Sequence, residues 1–261
     1  MIKALNTAAT GMQAQQTNMD VIANNISNVN TTGFKQSRAE FEDLMYQTQK
    51  EPGSVVGENT NTPTGVQVGL GVKTASVQKD FKIGSAKITN NPFDMQIEGD
   101  GLFMVQLPDG QIGYTRDGSF RKSADGRVVD KNGHALLPEI TIPPNAIGVD
   151  ISGDGQVSVS IAAGQAPENV GQIEIVNFVN PTGLRANGKN VFLPTLASGQ
   201  PNQGVPGTNG LGGIAQGQLE GSNVNIVESM VDMIGAQRGF ETNSKVISAA
   251  DQMLQTVNNL R

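Results

Sequence analysis

"MIKALNTAATGMQAQQTNMDVIANNISNVN" (residues 1–30) carries apolar side chains at heptad spacing. Leu5, Met12, Met19 and Ile26 hold one seam position, and Ala8, Gln15, Ile22 and Val29 hold the other. Spacings of three and four put all eight on one helical face, and only Gln15 among them is polar. This predicts a helix within residues 1–34. Gly33 is the residue able to take the left-handed conformation just past its end. Before Lys35 the only charges are Lys3 and Asp20, and the rest of the surface is Asn, Gln, Thr and Ala. A helix that faces water ordinarily carries charge there. This one is therefore expected to be covered on several sides.

The far end of the chain has the same period. Ile226, Met233, Phe240, Ile247 and Leu254 recur every seven residues, flanked by Ala236, Ala250 and Val257. Asn225 followed by Glu228 fits an N-cap with a capping-box acid three residues on. Glu228, Asp232, Arg238, Glu241, Lys245 and Asp251 predict one charged, wetted face. "SNVN" occurs at both helix boundaries, at 27–30 and at 222–225. Serine and asparagine side chains bond free backbone groups, so the tetrapeptide suits either end of a helix, and two ends are expected side by side.

Between the helices the pattern changes. Residues 46–65 have no helical period and read as loop or extended chain. Val66, Val68, Leu70 and Val72 then alternate as a strand does. Turn signals follow at short intervals: "GDG" at 99–101, "PDG" at 108–110, "RDG" at 116–118, "ADG" at 124–126 and "KNG" at 131–133. Set between runs such as "LFMVQL" and "RVVD", these predict hairpins of short strands. Residues 198–213, rich in Gly, Pro, Asn and Gln, are expected to form a flexible surface loop. The expected fold class is α+β. Its parts are a helix at 1–34, an extended β-rich linker at 35–78, a central β domain at 79–223 and a helix at 224–261 that packs on the first like a coiled coil.

Composition removes most other functions. With net charge −6 the chain lacks the basic surface that nucleic acid selects. It has no cysteine, hence no disulfide, thiol nucleophile or thiolate metal site. No run approaches the ~18 apolar residues of a membrane helix. No 7–15-residue apolar stretch follows Lys3 as in a signal peptide. "DISGDGQVSV" (150–159) begins like a calcium loop but carries Ile161 where the twelfth-position carboxylate belongs. His134, after the "KNG" turn, is expected on the surface, although an acid–base pairing with Asp130 is conceivable. Serine-hydrolase chemistry would need that one histidine, and there is no G-x-S-x-G elbow. No cofactor or metal is expected. A helix lying on a membrane needs a basic polar face, which residues 1–30 lack. Two helices alone would leave large Asn/Gln/Ala surfaces unpaired. Many copies side by side would bury them, and repeating such a contact without closure gives a helical tube.

These segments resemble the flagellar rod and hook axial proteins. "NTAATGMQAQQTNMDVIANNISNVNTTGFK" (6–35) is similar to their N-terminal signature, and "LEGSNVNIVESMVDMIGAQRGFETNSKVISAADQML" (219–254) to their C-terminal one. Residues 88–138 resemble the central domain shared by distal rod and hook. The long junction "RAEFEDLMYQTQKEPGSVVGENTNTPTGVQVGLGV" (38–72) is closest to the distal-rod branch. Departures are small: Asn225 where Asp is usual, Phe240 where Tyr is usual, and Ser229 where an acid is common.

The resemblance implies a non-enzymatic subunit that polymerises with itself into the drive shaft. Its implied partners are proximal rod proteins, hook protein and ring bushings. It also implies export through the flagellar channel without a cleaved signal, and a place in the rod crossing the periplasm. The assembly interface expected from the two seams comprises Leu5, Met12, Met19, Ile22, Ile26, Ile226, Met233, Phe240, Ile247 and Leu254. Other readings are a hook or proximal rod subunit, or a soluble β-domain carbohydrate binder with helical tails.

Overall fold

Helix α1 (Ile2–Ser27) and helix α2 (Ile226–Asn259) are the two long helices that the heptad spacing predicts. The computed structural model describes residues 2–52, 55–57, 60–61, 63–161 and 166–259. The chain divides into two units. One contains 1–27, 37–78 and 225–261, and the other contains 28–36 and 79–224.

In the helical unit α1 and α2 run antiparallel. Gly11 faces Asn243, and four residues later Gln15 faces Gly239. The positions most buried in this pair are small: Ala8, Ala14, Ala236 and Ala250 are each 6% exposed or less. Alanine and glycine let two helix axes approach closely, while larger side chains flank the contact. Strand Ser37–Asp43 pairs with Val72–Lys79, and Tyr46–Lys50 pairs antiparallel with Val66–Gly69. Residues 46–50, expected as loop or extended chain, therefore form one side of a ribbon. The alternating run at 66–72 is interrupted at Leu70–Gly71. Gly71 has φ +125°, and a Cβ there would lie 2.2 Å from Thr10 Oγ1. Asn25 imitates a strand partner: its Nδ2 donates to Ser37 O at 2.7 Å and its Oδ1 accepts from Ser37 N at 2.8 Å.

Helix α1 stops at Ser27, earlier than the 1–34 span expected. Thr31 N donates to Asn28 O in a turn, and Thr31 Oγ1 donates to Asn28 Oδ1. The polar "SNVNTT" run offers the backbone these local partners in place of helical ones.

In the β unit a nine-stranded sheet centres on Leu102–Gln106, which pairs with Ile112–Thr115, Ala135–Leu137 and Ile175–Asn177. "LFMV" is continuously apolar because both faces of this strand are covered. Phe103 and Val105 enter a core with Met95, Ile97, Phe120, Leu136, Ile140, Val157 and Ile173. Leu102 and Met104 enter a second cluster with Tyr114, Val176, Phe178 and Phe192. Phe103 meets Phe120 edge-on at 5.3 Å, and Tyr114 meets Phe178 edge-on at 4.9 Å.

The hairpin signals at "PDG", "ADG" and "KNG" are turns, with Gly110, Gly126 and Gly133 at φ between +76° and +86°. Two other expectations are corrected. "RDG" is not a hairpin tip: Arg116 and Asp117 are buried, and a Cβ on Gly118 would lie 1.6 Å from Met95 O. Residues 198–213 are not a free loop. Strand Asn202–Gly204 pairs with Ile175–Asn177, and Leu211 packs into the core. Ladder bonds come from the backbone, so this polar segment joins a sheet with one apolar anchor.

Truncating Phe103, which is fully buried, leaves a cavity at the centre of the larger core. Phe103→Ala is expected to lower the stability of the β unit by about 3–5 kcal/mol, read from urea unfolding.

Candidate functional site

Two places carry the features from which function follows: the faces of the helix pair, and the segments where the chain enters and leaves the β unit.

On the helix pair, Ile22 is buried, and Leu5, Met12, Met19, Ile26, Met233, Phe240 and Ile247 are half-buried. Ile226 and Leu254 are more open, at 43% and 36%. Asn225 caps α2, its Oδ1 accepting from Val227 N at 3.1 Å and Glu228 N at 3.5 Å. Glu228 stands in the first turn, where the helix dipole favours an acid.

The face of α2 turned away from the seam differs from the uniformly charged one expected. Val227, Met230, Val231 and Ile234, at one-turn spacings, are 72%, 53%, 64% and 51% exposed. Arg238, Glu241 and Lys245 continue the same face. Its first turns are thus apolar and its later turns charged. The stripe was legible in the sequence as four apolar residues at spacings of three and four within 227–234. Along α1 the exposed positions Asn6, Ala9, Gln13, Gln16 and Ala23 are uncharged, and Lys3 and Asp20 are the charged ones.

The chain's entry to and exit from the β unit meet at a buried charge cluster that single-residue patterns did not suggest. Lys35 Nζ donates to Glu220 Oε1 at 2.6 Å and to Lys82 O at 2.6 Å. Arg116 NH1 reaches Glu220 Oε2 at 3.3 Å, and its NH2 donates to Gly99 O at 2.7 Å. Glu220 Oε1 also accepts from Gly84 N at 2.9 Å. Gly33, expected as a helix cap, serves here instead. Its φ is +66°, its N donates to Glu220 O at 2.8 Å, and a Cβ would lie 2.7 Å from Arg116 C and Asp117 N. It sits well past the helix end because a close backbone crossing requires it.

Asn223, from the second "SNVN", accepts from Gln36 N at 2.7 Å and donates to Asp80 O at 2.9 Å. Asn190, held at φ +61°, donates to Thr32 O at 2.9 Å. Lys79 lies 5.1 Å over the Phe34 ring.

His134, expected on the surface, is buried. Its Nδ1 lies 3.0 Å from Asp130 Oδ2, and Asp130 Oδ1 also accepts from the His134 and Asn132 backbone nitrogens. The pair closes its own hairpin. Among the described residues no group of three or more His, Asp or Glu is arranged to hold a metal, and no helix is long and apolar enough to cross a membrane.

Comparison with known proteins covers both helices and the domain between them. Residues 5–35 match the flagella basal body rod protein family, 96–159 the flagellar hook protein FlgE/F/G D1 domain, and 215–260 the flagellar basal body rod FlgEFG protein C-terminal family. The chain is 51% identical to the flagellar basal-body rod protein FlgG of Borreliella burgdorferi, over 100% of this chain and 99% of that one. The chain belongs to the flagellar basal-body rod protein family. It is a structural subunit of the flagellar rod. Two relatives from one organism, Bacillus subtilis, mark its place within the family. The basal-body rod protein FlgG is 38% identical and the hook-basal body complex protein FlhP 30%, each over the full length of both chains.

Burial holds the Lys35 ammonium below lysine's ordinary 10.5, and the nearby Glu220 carboxylate offsets this only in part. Burial likewise lowers Arg116. A lysine whose folded pKa lies below its unfolded one binds fewer protons when folded, so its contribution to stability rises with pH up to 10.5. The stability of the native chain relative to Lys35→Met should therefore increase through the alkaline range below that value. Urea midpoints of both proteins across that range measure it.

Proposed function

We propose that this rod subunit polymerises helically with copies of itself into the rigid, hollow distal rod, between proximal rod and hook. The ring bushings would surround the shaft, and the chain would have no catalytic role. The observation that carries the reading is the apolar stripe Val227–Met230–Val231–Ile234. Four large side chains on one helix face, each more than half exposed, are costly to leave in water. Burial between subunits removes that cost. A contact made between two different surfaces, repeated without closure, yields a helical filament.

The outer face of α1, on which Asp20 is the one charge beyond Lys3, supports the same packing. The charged later turns of α2 suit a wetted channel wall, along which unfolded chains in transit slide without apolar attachment. The interface residues expected from the seams then divide in role. Met19, Ile22, Met233, Phe240 and Ile247 hold the pair together, while Ile226 and Leu254 extend the surface offered to neighbours. The ribbon of Tyr46–Lys50 and Val66–Gly69 exposes Tyr46, Val66 and Val68 and supplies an arm for bracing adjacent subunits. Export through the flagellar channel fits a sequence with no cysteine to oxidise in the periplasm.

A carboxylate placed in the stripe is harmless in water but costs several kcal/mol when buried unpaired. Val231→Glu or Ile234→Glu should raise the concentration needed for assembly by about a hundredfold or more, measured by sedimentation. Their circular dichroism should stay native. Lys245→Gln, farther along the same face, should assemble normally. Unimpaired polymers from both acidic variants would refute the reading.

A further inference from the structure

The cluster at the chain's entry to and exit from the β unit has an unequal charge count. Lys35 and Arg116 bring two positive charges and Glu220 one negative, and all three side chains are at most 2% exposed. Both carboxylate oxygens are engaged: Oε1 by Lys35 and Gly84 N, Oε2 by Arg116. The cations spend other donors on the carbonyls of Lys82, Ile97 and Gly99, while Arg116 Nε is buried without a partner. Lys35 and Glu220 are 185 residues apart. Lys35 enters ahead of the β strands, Arg116 sits among them, and Glu220 closes Gln218–Glu220, which pairs with Ala86–Ile88.

We propose that Glu220 is a closure latch, making the fold of the β unit conditional on arrival of the chain segment that leaves it. Without this carboxylate two cations would enter the interior with no acid bonded to them, compensated only by carbonyl dipoles and by the fields of Asp80 on Lys35 and Asp100 on Arg116, and an undercompensated buried charge disfavours the closed state. With it, the same two cations are held by charge-assisted bonds. The β unit therefore stays open on a chain whose last strand has not docked and closes on a complete one. Gly33 N on Glu220 O and Asn223 on Gln36 tie the entering and leaving segments at the same step. The latch does not depend on what the chain assembles into.

The test uses the full-length chain with Tyr46→Phe, so that buried Tyr114 alone reports the β unit by fluorescence during urea unfolding and refolding. Glu220→Gln keeps the shape and removes the charge. It should speed unfolding by about a hundredfold or more while changing refolding by less than about threefold, the signature of a contact made last. In a Lys35→Met/Arg116→Met background the same change should be neutral or stabilising, since Glu220 is then the unpaired charge. If Glu220→Gln alone fails to fold, recovery of the fold in the triple variant supports the latch. Three results would overturn it: an equal cost of Glu220→Gln in both backgrounds, a loss carried mainly by slower refolding, or no loss at all.

Discussion

A helix pair that approaches closely through alanine and glycine leaves the large apolar side chains on its far face unspent. Ala8, Ala14, Ala236 and Ala250 are its most buried positions, and Gly11 and Gly239 each face an amide of the opposite helix. Close approach fixes the register of two helices of 26 and 34 residues. The apolar surface left over lies on the first turns of α2. Cover for that surface has to come from outside the helix pair, and the subunit packing proposed above would supply it.

The β unit solves a different problem. Its central strand is covered on both faces, so it needs nothing outside itself for a core. What it needs is control over where the chain enters and leaves it. A polar solution serves here. Hydrogen bonds from Asn190, Asn223 and Gly33, and the carboxylate of Glu220, fix those segments with more directionality than apolar contacts provide.

Much of this was legible in sequence because the signals were local. Heptad spacing marked both helices, and Asn225 marked the start of the second. Asp-Gly and Asn-Gly marked three hairpins. What the sequence hid was non-local or had the wrong local appearance. "RDG" has the composition of a turn, yet Arg116 is held inside by a carboxylate over a hundred residues away. Lys35 looked like the first solvated charge after a bare helix, and its partner lies at the far end of the chain. Asn202–Gly204 is a strand for its backbone bonds alone, which no side-chain pattern reports. The stripe at 227–234 was visible in principle. A seam defined from Ile226 and Met233 drew attention to one face, and the charges beyond Arg238 made the opposite one look wetted throughout.

The absence of cysteine allows the central claim to be tested with a single introduced thiol. Met230→Cys places it in the middle of the apolar stripe, and the rate of its alkylation can be followed in dilute chain and in assembled rods. Burial of the stripe between subunits predicts fast labelling in the dilute chain and strong protection in the polymer, with Lys245→Cys on the same face labelled in both. Equal labelling of Met230→Cys before and after assembly would contradict the account.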